Sequence, residues 1–420
     1  MLRTILANGT EARTAVFYGW RIVGGAFALA VFGWGIGFYG LPVYLEAIHH
    51  SRGWSVPLVS AAVTTHFVLG AVVVANLPSL YRRFGIADVT KVGTALLAVG
   101  VFAWASATAP WQLFIATLLS GAGWAAMGAA AVNAIVSPWF ARGRPAALSM
   151  AYNGASIGGV VFSPLWVGAI SVLGFPTAAA VIGGVTILAM WILADLLFSR
   201  SPEQMGLVPD GDALGALVKS QPRPISLLWH DWKFLTLAGG TACGLFAQIG
   251  LIAHLYSLMV PALSTQSAGL AMGLATASAV AGRTLVGWLM PADADRRLVA
   301  CASYTVQIAG SVVLILAEGT SVPLLLLGVV LFGSGIGNAT SLPPLIAQAE
   351  FPKGDVPRVV ALTVAIAQGT YAFAPAAFGL VRGFAATTPD MAGAAAPVVF
   401  IAAACTQTLA ICAFLVGRKR

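Results

Sequence analysis

The stretch RSPEQMGLVPDGDALGALVKSQPRPISLLWHDW, from Arg200 to Trp232, is the one long polar segment of this 420-residue chain. It contains four prolines and three basic residues, a composition typical of a linker rather than of a helix. Six apolar runs come before it and six come after it. The stretch therefore predicts two halves of six helices each, joined by a polar linker.

The composition on either side of the linker excludes a soluble protein. Hydrophobic residues make up 59% of the chain and charged residues only 9%, whereas soluble domains carry about 25% charged residues. Each apolar run is long enough to cross a hydrocarbon core of about 30 Å as a helix. We predict an all-α membrane protein with twelve spans, at residues 20–46, 55–80, 86–108, 111–139, 145–173, 176–198, 234–260, 267–290, 298–317, 322–348, 357–384 and 393–416.

The formal net charge of +8 comes from basic residues that alternate by side of the membrane. Most of them follow even-numbered spans or flank the linker, whereas the opposite loops hold only Arg52 and Arg382. The positive-inside rule then places the linker and both termini in the cytoplasm. Since these residues do not gather in a soluble domain, the expected partner is the lipid bilayer and not nucleic acid.

The same pattern divides the chain into five parts. We predict a cytoplasmic tail at 1–19, a first bundle at 20–199, the linker at 200–232, a second bundle at 233–416 and a cytoplasmic tail at 417–420. Residues 1–15 include three charged side chains and no apolar core, so we expect no cleaved signal peptide.

The residue types needed for a cofactor, a metal or an enzyme are missing from the spans. The cysteines are scattered singly, which favours a packing role over a disulfide or a metal site. No paired acids and no His-x-x-His pattern occur in the apolar runs. We therefore expect no metal, no cofactor and no catalytic site.

The two halves look related at an offset of about 212 to 215 residues. Gly121-Ala-Gly123 matches Gly333-Ser-Gly335, and Arg82-Arg83 matches Arg296-Arg297. A parallel repeat of two six-helix halves is the sequence signature of the major facilitator architecture. In that architecture the functional site lies between the halves, near the middle of the bilayer.

Further motifs resemble one branch of the major facilitator superfamily, and the resemblance covers nearly the whole chain. The motifs are Tyr18-Gly19-Trp20-Arg21, Gly53-Trp54-Ser55, Trp139-Phe140-x-x-x-Arg144-x-x-Ala147, Asn153-Gly154-x-x-x-Gly158-Gly159, Ser163-Pro164-Leu165 and Gly282-Arg283-x-x-x-Gly287-Trp288. Their order and spacing resemble the monocarboxylate porters and the oxalate:formate antiporters. One departure is that the aspartate of the superfamily's loop motif is absent after the second span and after the eighth.

Arg283 is the leading candidate for a binding residue. It lies about two turns inside the apolar run Ala268–Met290, which contains no Asp or Glu. A guanidinium at such depth costs at least about 2.5 kcal/mol and marks a functional site by default. The alternative is a structural residue that snorkels to lipid headgroups or caps the helix.

The resemblance implies that Arg283 binds a substrate carboxylate together with a lysine in the eleventh span. Gln368 stands where that lysine is expected, so a site with one cation favours a monoanion. Other polar residues in apolar spans are candidates to line the path, each with a helix-to-helix hydrogen bond as the alternative. They are Tyr39, Asn133, Tyr152, Gln248, Asn338 and Tyr371.

His66 and His254 are the candidates for proton coupling. We expect no Asp or Glu well inside a span, and histidine is the side chain that titrates near neutrality. A lone buried histidine that only bonds a neighbour is the alternative, and exchange or uniport needs no such group.

Together these observations predict a monomeric secondary transporter in a bacterial-type inner (plasma) membrane. It would move a small organic anion, with a monocarboxylate favoured, by proton symport or anion exchange. The alternative is an importer or exporter of larger amphipathic compounds, of the drug or siderophore type, in which Arg283 is structural.

Overall fold

The computed structural model describes residues 17–209, 228–291, 293–385 and 395–418. Over these ranges the chain is all-helical, without a strand, and the predicted twelve membrane-capable helices are confirmed. They are α1 (Gly19–Arg52), α2 (Val56–Phe84), α3 (Ile86–Ser106), α4 (Pro110–Trp139), α5 (Arg144–Leu173), α6 (Phe175–Phe198), α7 (Trp232–Met259), α8 (Thr265–Leu289), α9 (Arg296–Leu316), α10 (Val322–Glu350), α11 (Val356–Ala385) and α12 (Pro397–Val416). Most of the predicted N-terminal tail and residues 210–227 of the linker lie outside the described residues.

Prolines break two of the long helices near their middle. Helix α1 consists of Gly19–Gly37 and Leu41–Arg52, and α11 consists of Val356–Tyr371 and Ala374–Ala385. A proline ring clashes with the carbonyl four residues earlier. Pro42 and Pro375 therefore disrupt the helices at Phe38 and Tyr371.

Helix α4 is broken by a glycine instead. Its pieces, Pro110–Ala125 and Ala129–Val136, are separated at Gly128, whose backbone is extended (φ −84°, ψ −165°). Just after the break, the Tyr152 hydroxyl of α5 donates to the carbonyl of Ala129 at 3.0 Å.

The halves meet along three helix pairs: α5 with α8, α2 with α11, and α1 with α7. We call the face that holds the linker the linker face and the other one the opposite face. The pairs are packed tightly toward the opposite face. An added Cβ at Gly269 would lie 2.8 Å from Val167, and one at Gly383 would lie 2.6 Å from Pro57.

The contact between α2 and α11 loosens toward the linker face. The Val356–Tyr371 piece of α11 packs far less against α2 than the Ala374–Ala385 piece does. The contact between α2 and α11 is therefore tighter toward the opposite face than toward the linker face.

The linker face of the second half is held together by a buried ion pair. Arg297, which is 1% exposed, donates from Nε and Nη2 to the two carboxylate oxygens of Glu350, at 2.7 and 2.9 Å. Asp295 caps the start of α9 by accepting from the amides of Arg297 and Leu298. Carboxylates at these two positions thus stabilise this end of the half without the aspartate of the loop motif.

Candidate functional site

Arg283 lies at the junction of the two halves. Its Nη2 donates to Ser156 Oγ of α5 at 2.9 Å, which links a helix of the second half to a helix of the first. Glycines of α10 make room for it, since an added Cβ at Gly337 would lie 2.9 Å from the Cβ of Arg283. The side chain is half-buried.

The charge of Arg283 has no carboxylate partner within the described ranges of the chain. Carboxylates in the described ranges pair with other cations, for example Asp195 with Lys91, Glu350 with Arg297, and Asp295 with Arg418. A guanidinium has five N–H donors, and the bond to Ser156 uses one of them. The remaining donors and the positive charge are available to an anion.

Tyr39 approaches Arg283 from the break in α1. The Tyr39 ring and Thr276 of α8 lie side by side against Gly159, and the Tyr39 hydroxyl is within electrostatic range of the guanidinium. Gly159 allows this approach, because an added Cβ there would lie 2.5 Å from Thr276 and 2.8 Å from Tyr39. Helices α1, α5 and α8 thus come together at this point. We call the four residues that meet there the junction site: Tyr39, Ser156, Thr276 and Arg283.

The other predicted lining residues lie on other helices, and none of them is seen to contact Arg283. Tyr371 lies at the break in α11, with its ring edge-on to Phe67 at 6.1 Å, and Gln368 is one turn before it. Asn133 accepts a hydrogen bond from Ser137 within α4. Their roles in substrate binding stay predictions.

Asn338 and Gln248 lie inside the second half and are incompletely satisfied. Asn338 borders a narrow gap with Ser303 and Tyr304, and its Oδ1 is buried without a partner in the described residues. The Oε1 atom of Gln248 is also buried without a hydrogen-bond partner in the described residues. Such groups are costly unless water or a ligand reaches them.

Aromatic rings of the first half pack next to Tyr39 of the junction site, where the Phe38 ring lies 5.0 Å from the Tyr39 ring. Trp34 and Trp124 pack edge to face at 5.1 Å, and Phe38 lies 6.2 Å from Trp124. Because these rings come from α1 and α4, they form an apolar wall on the side of the first half.

The two histidines are held differently. His66 is fully buried, with Nδ1 2.8 Å from Ser120 Oγ and Nε2 3.1 Å from the Gly37 carbonyl, so both ring nitrogens have partners. His254 has Nε2 3.1 Å from the Pro375 carbonyl, whereas its Nδ1 is buried without a partner in the described residues. Proton coupling through either histidine stays a prediction.

Sequence reasoning missed three residues at the junction of the halves. Ser156 and Thr276 carry no signal, because small hydroxyl residues among glycines read as packing. Glu46 was expected at the end of the first span, but α1 continues to Arg52 and is capped by Gly53 at φ +66°. The first helix is therefore six residues longer than predicted, and Glu46 lies on its last two turns.

Arg283 thus has no carboxylate partner among the described residues and lies at the junction of two helical bundles, which marks a candidate functional site. Twelve membrane-capable helices in two bundles define the class of polytopic membrane proteins. The sequence profile of the Major Facilitator Superfamily matches residues 23–375, and the chain belongs to this family.

The named relatives agree with this family and leave the branch open. The protein "MFS-type transporter 1" of Ophiocordyceps sp. (strain BCC 1869) is 30% identical over 193 residues, which are 44% of this chain and 42% of that protein. The match thus spans less than half the length of this curated relative. The monocarboxylate-porter and oxalate:formate-antiporter branch stays a prediction.

Solved structures share the fold. The nucleoside transporter NupG superposes with a TM-score of 0.74 at 13% identity, over 96% of this chain and 99% of NupG. A bacterial homolog of the human lysosomal transporter Spinster, in an inward-facing and occupied conformation, gives 0.70 at 14% identity, over 95% and 97% of the two chains. At these identities the likeness concerns the fold alone.

Proposed function

We propose that this transporter moves a small organic anion, preferably a monocarboxylate, by alternating access as proton symport or anion exchange. Arg283 is the group that binds the carboxylate. The observation that carries the proposal is a half-buried guanidinium at the junction of the halves whose one recorded hydrogen bond goes to the neutral hydroxyl of Ser156.

The chemistry of the junction site favours a single negative charge. Guanidinium remains protonated and can bind a carboxylate with two parallel hydrogen bonds. Ser156 holds one Nη atom in place, and the Tyr39 hydroxyl adds a further polar group. With the neutral Gln368 in α11 and one cation in the site, a dianion would keep an uncompensated charge in a medium of low dielectric constant.

The orientation in the membrane belongs to the same proposal. The positive-inside rule places the linker face in the cytoplasm of a bacterial-type cell, so that the looser end of the α2–α11 contact faces the cytoplasm. A test is the labelling of single cysteines introduced into the linker, in intact and in broken cells. If an impermeant reagent labels the linker cysteines as strongly in intact cells as in broken cells, the proposed orientation is contradicted.

The substrate assignment is tested with Arg283→Gln and Arg283→Lys proteins in liposomes, using radiolabelled C1 to C6 carboxylates. Removing one partner of a buried charge pair costs about 2–5 kcal/mol, so Arg283→Gln should weaken binding by at least about 30-fold. Arg283→Lys should retain part of the affinity. Arg82→Gln is the matched control, because Arg82 is exposed on the linker face. Unchanged affinity in Arg283→Gln would eliminate the proposal.

The aromatic wall of Trp34, Phe38 and Trp124 favours a second candidate, a carrier of larger amphipathic compounds in which Arg283 is structural. A thermal-shift screen separates the two, since a bound ligand raises stability in proportion to RT ln(1 + [L]/Kd). Stabilisation by bulky apolar compounds and not by small carboxylates would favour the second candidate.

A further inference from the structure

The hydroxyl group of Ser156 is the point where the first half meets the guanidinium of Arg283. Nη2 of Arg283 donates to Ser156 Oγ at 2.9 Å, across 127 residues of sequence. The direction of this bond is fixed by chemistry, because a guanidinium has only N–H donors and no acceptor. The oxygen of Ser156 therefore accepts from Arg283, whereas the hydroxyl proton of Ser156 has to point elsewhere.

No acceptor among the described residues takes that proton. Hydroxyl groups in helices commonly donate to a carbonyl three or four residues earlier, and Thr276 on the facing helix α8 does so, to Met272 at 3.1 Å. Ser156 makes no such bond within the described ranges. Its side chain is only 7% exposed, and a buried O–H group without an acceptor is costly. The proton of Ser156 is thus available to a bound acceptor.

The packing of α5 aims this hydroxyl at the junction of the halves. Ser156 and Gly159 are three residues apart and share one face of the helix. An added Cβ at Gly159 would lie 2.5 Å from Thr276 and 2.8 Å from Tyr39, so this face looks onto α8 and α1. Because Ser156 and Arg283 are in direct contact, the unused donors of the guanidinium and the proton of the hydroxyl lie next to each other.

We propose that Ser156 is a second binding residue of the junction site, whose hydroxyl donates to the carboxylate that Arg283 holds. A carboxylate has about four lone-pair sites, so it can accept two bonds from a guanidinium and one from a hydroxyl at the same time. The bound anion is then bonded to α8 of the second half and to α5 of the first. This role rests on the carboxylate assignment proposed above, and it makes the substrate itself a bridge between the halves.

The test measures the binding of a radiolabelled carboxylate to the purified protein in lipid nanodiscs. The probe is the member of the C1 to C6 set that the unsubstituted protein binds most tightly. Loss of a hydrogen bond to a charged group changes affinity roughly tenfold or more, so Ser156→Ala should weaken binding by about that factor. Ser156→Thr keeps a hydroxyl and should restore most of the affinity. Ser163→Ala is the matched control, because Ser163 is fully buried on the same helix without a hydrogen-bond partner in the described residues, and it should change the affinity by less than about twofold.

A second pair of variants separates a donor to the anion from a residue that only orients Arg283. Lysine has no planar fork to orient. If Ser156 acted only on the guanidinium, Ser156→Ala would leave the affinity of an Arg283→Lys protein unchanged. Direct donation to the anion predicts a further loss of roughly threefold or more in that background. Size-exclusion profiles show whether each variant is folded, and Ser156→Cys, whose thiol is a weak donor, replaces Ser156→Ala if the alanine protein does not fold.

Each other outcome overturns the proposal. A loss of affinity in Arg283→Gln without a change in Ser156→Ala removes the role of Ser156 and leaves the carboxylate assignment intact. A loss in Ser156→Ala that disappears in the Arg283→Lys background makes Ser156 a positioning residue only. Unchanged affinity in Arg283→Gln, or the failure of every C1 to C6 carboxylate to bind, removes the carboxylate assignment and the role of Ser156 with it.

Discussion

The two halves of the molecule end differently on the linker face, although both carry the same Arg-Arg pair in sequence. In the second half Arg297 uses all its donors: two go to Glu350, and the others go to Thr236 Oγ1 and to the carbonyls of Lys233 and Phe414. In the first half Arg83 is exposed and lies over the Phe84 ring at 5.1 Å.

A carboxylate on a neighbouring helix is the origin of this difference. At the offset of the repeat, the positions that correspond to Glu350 hold apolar or neutral residues, Ile135 to Pro138. Without a partner, burial of Arg83 would leave an unpaired charge, so the side chain stays at the surface. The first half closes its end with aromatic packing instead, for example Phe17 on Phe140 at 5.5 Å. A repeated motif in sequence thus need not produce a repeated interaction.

The largest expected effect is at Arg297. Arg297→Ala leaves the Glu350 carboxylate buried without its cation and should destabilise the protein by about 3–5 kcal/mol. Thermal unfolding in detergent measures the change. Arg83→Ala, at the matching position of the first half, should change stability by less than about 0.5 kcal/mol. Similar shifts in the two variants would show that the halves do not differ as described.

Glycines at equivalent positions of the two halves should show that both halves have tightly packed helices. An added Cβ at Gly121 would press on the backbone of His66, and one at Gly333 would lie 2.5 Å from the Ala275 carbonyl oxygen. Each alanine substitution should cost about 1–3 kcal/mol through overpacking. Gly369→Ala is the control, because the space there is open and alanine favours helix by up to about 1 kcal/mol. A neutral result at Gly121 alone would mean that only the second half is tightly packed.

The helix cap of α9 predicts a pH-dependent difference between the halves. Partial burial acts to raise the pKa of Asp295, but hydrogen bonds from Arg418 and from the amides of Leu298 and Arg297 outweigh it and lower that pKa. The stabilisation is therefore present above the pKa of the unfolded chain and is lost as pH falls through the folded value. Asp295→Asn should cost about 1 kcal/mol near neutral pH and less below about pH 4.

Unfolding curves at several pH values test this cap. The matching helix of the first half, α3, begins after Gly85 with no side-chain cap, so substitution there should show no such trend. A pH-independent cost for Asp295→Asn would contradict the assignment.

The smallest expected effect is at the surface ion pair of the first half, between Lys91 and Asp195. The Asp195 side chain is 63% exposed, and exposed pairs contribute about 0–1 kcal/mol. Asp195→Asn should therefore shift the unfolding temperature only slightly, and added salt should remove even that shift. A loss as large as that of Arg297→Ala would overturn the distinction between buried and exposed pairs.

Much of the fold could be predicted because the bilayer restricts the chain. Spans such as 145–173 were predicted within one residue of α5 (Arg144–Leu173), since a backbone in hydrocarbon must bond to itself as a helix. The end of α1 was placed six residues early, because the polar Glu46, His49 and His50 resemble a loop. In the structure this piece packs against α7 of the other half, and such packing overrides local polarity.

The apolar runs, the linker and the alternation of basic residues were sufficient for twelve spans, two halves and a candidate cation at Arg283. Hydropathy is a local property, so it can be evaluated from the sequence one segment at a time. Tertiary structure alone decided that Arg283 meets Ser156, and that Arg297 is buried while Arg83 is exposed. Each depends on a partner from a helix far away in sequence, and that partner decides whether a buried charge stabilises or destabilises a membrane protein.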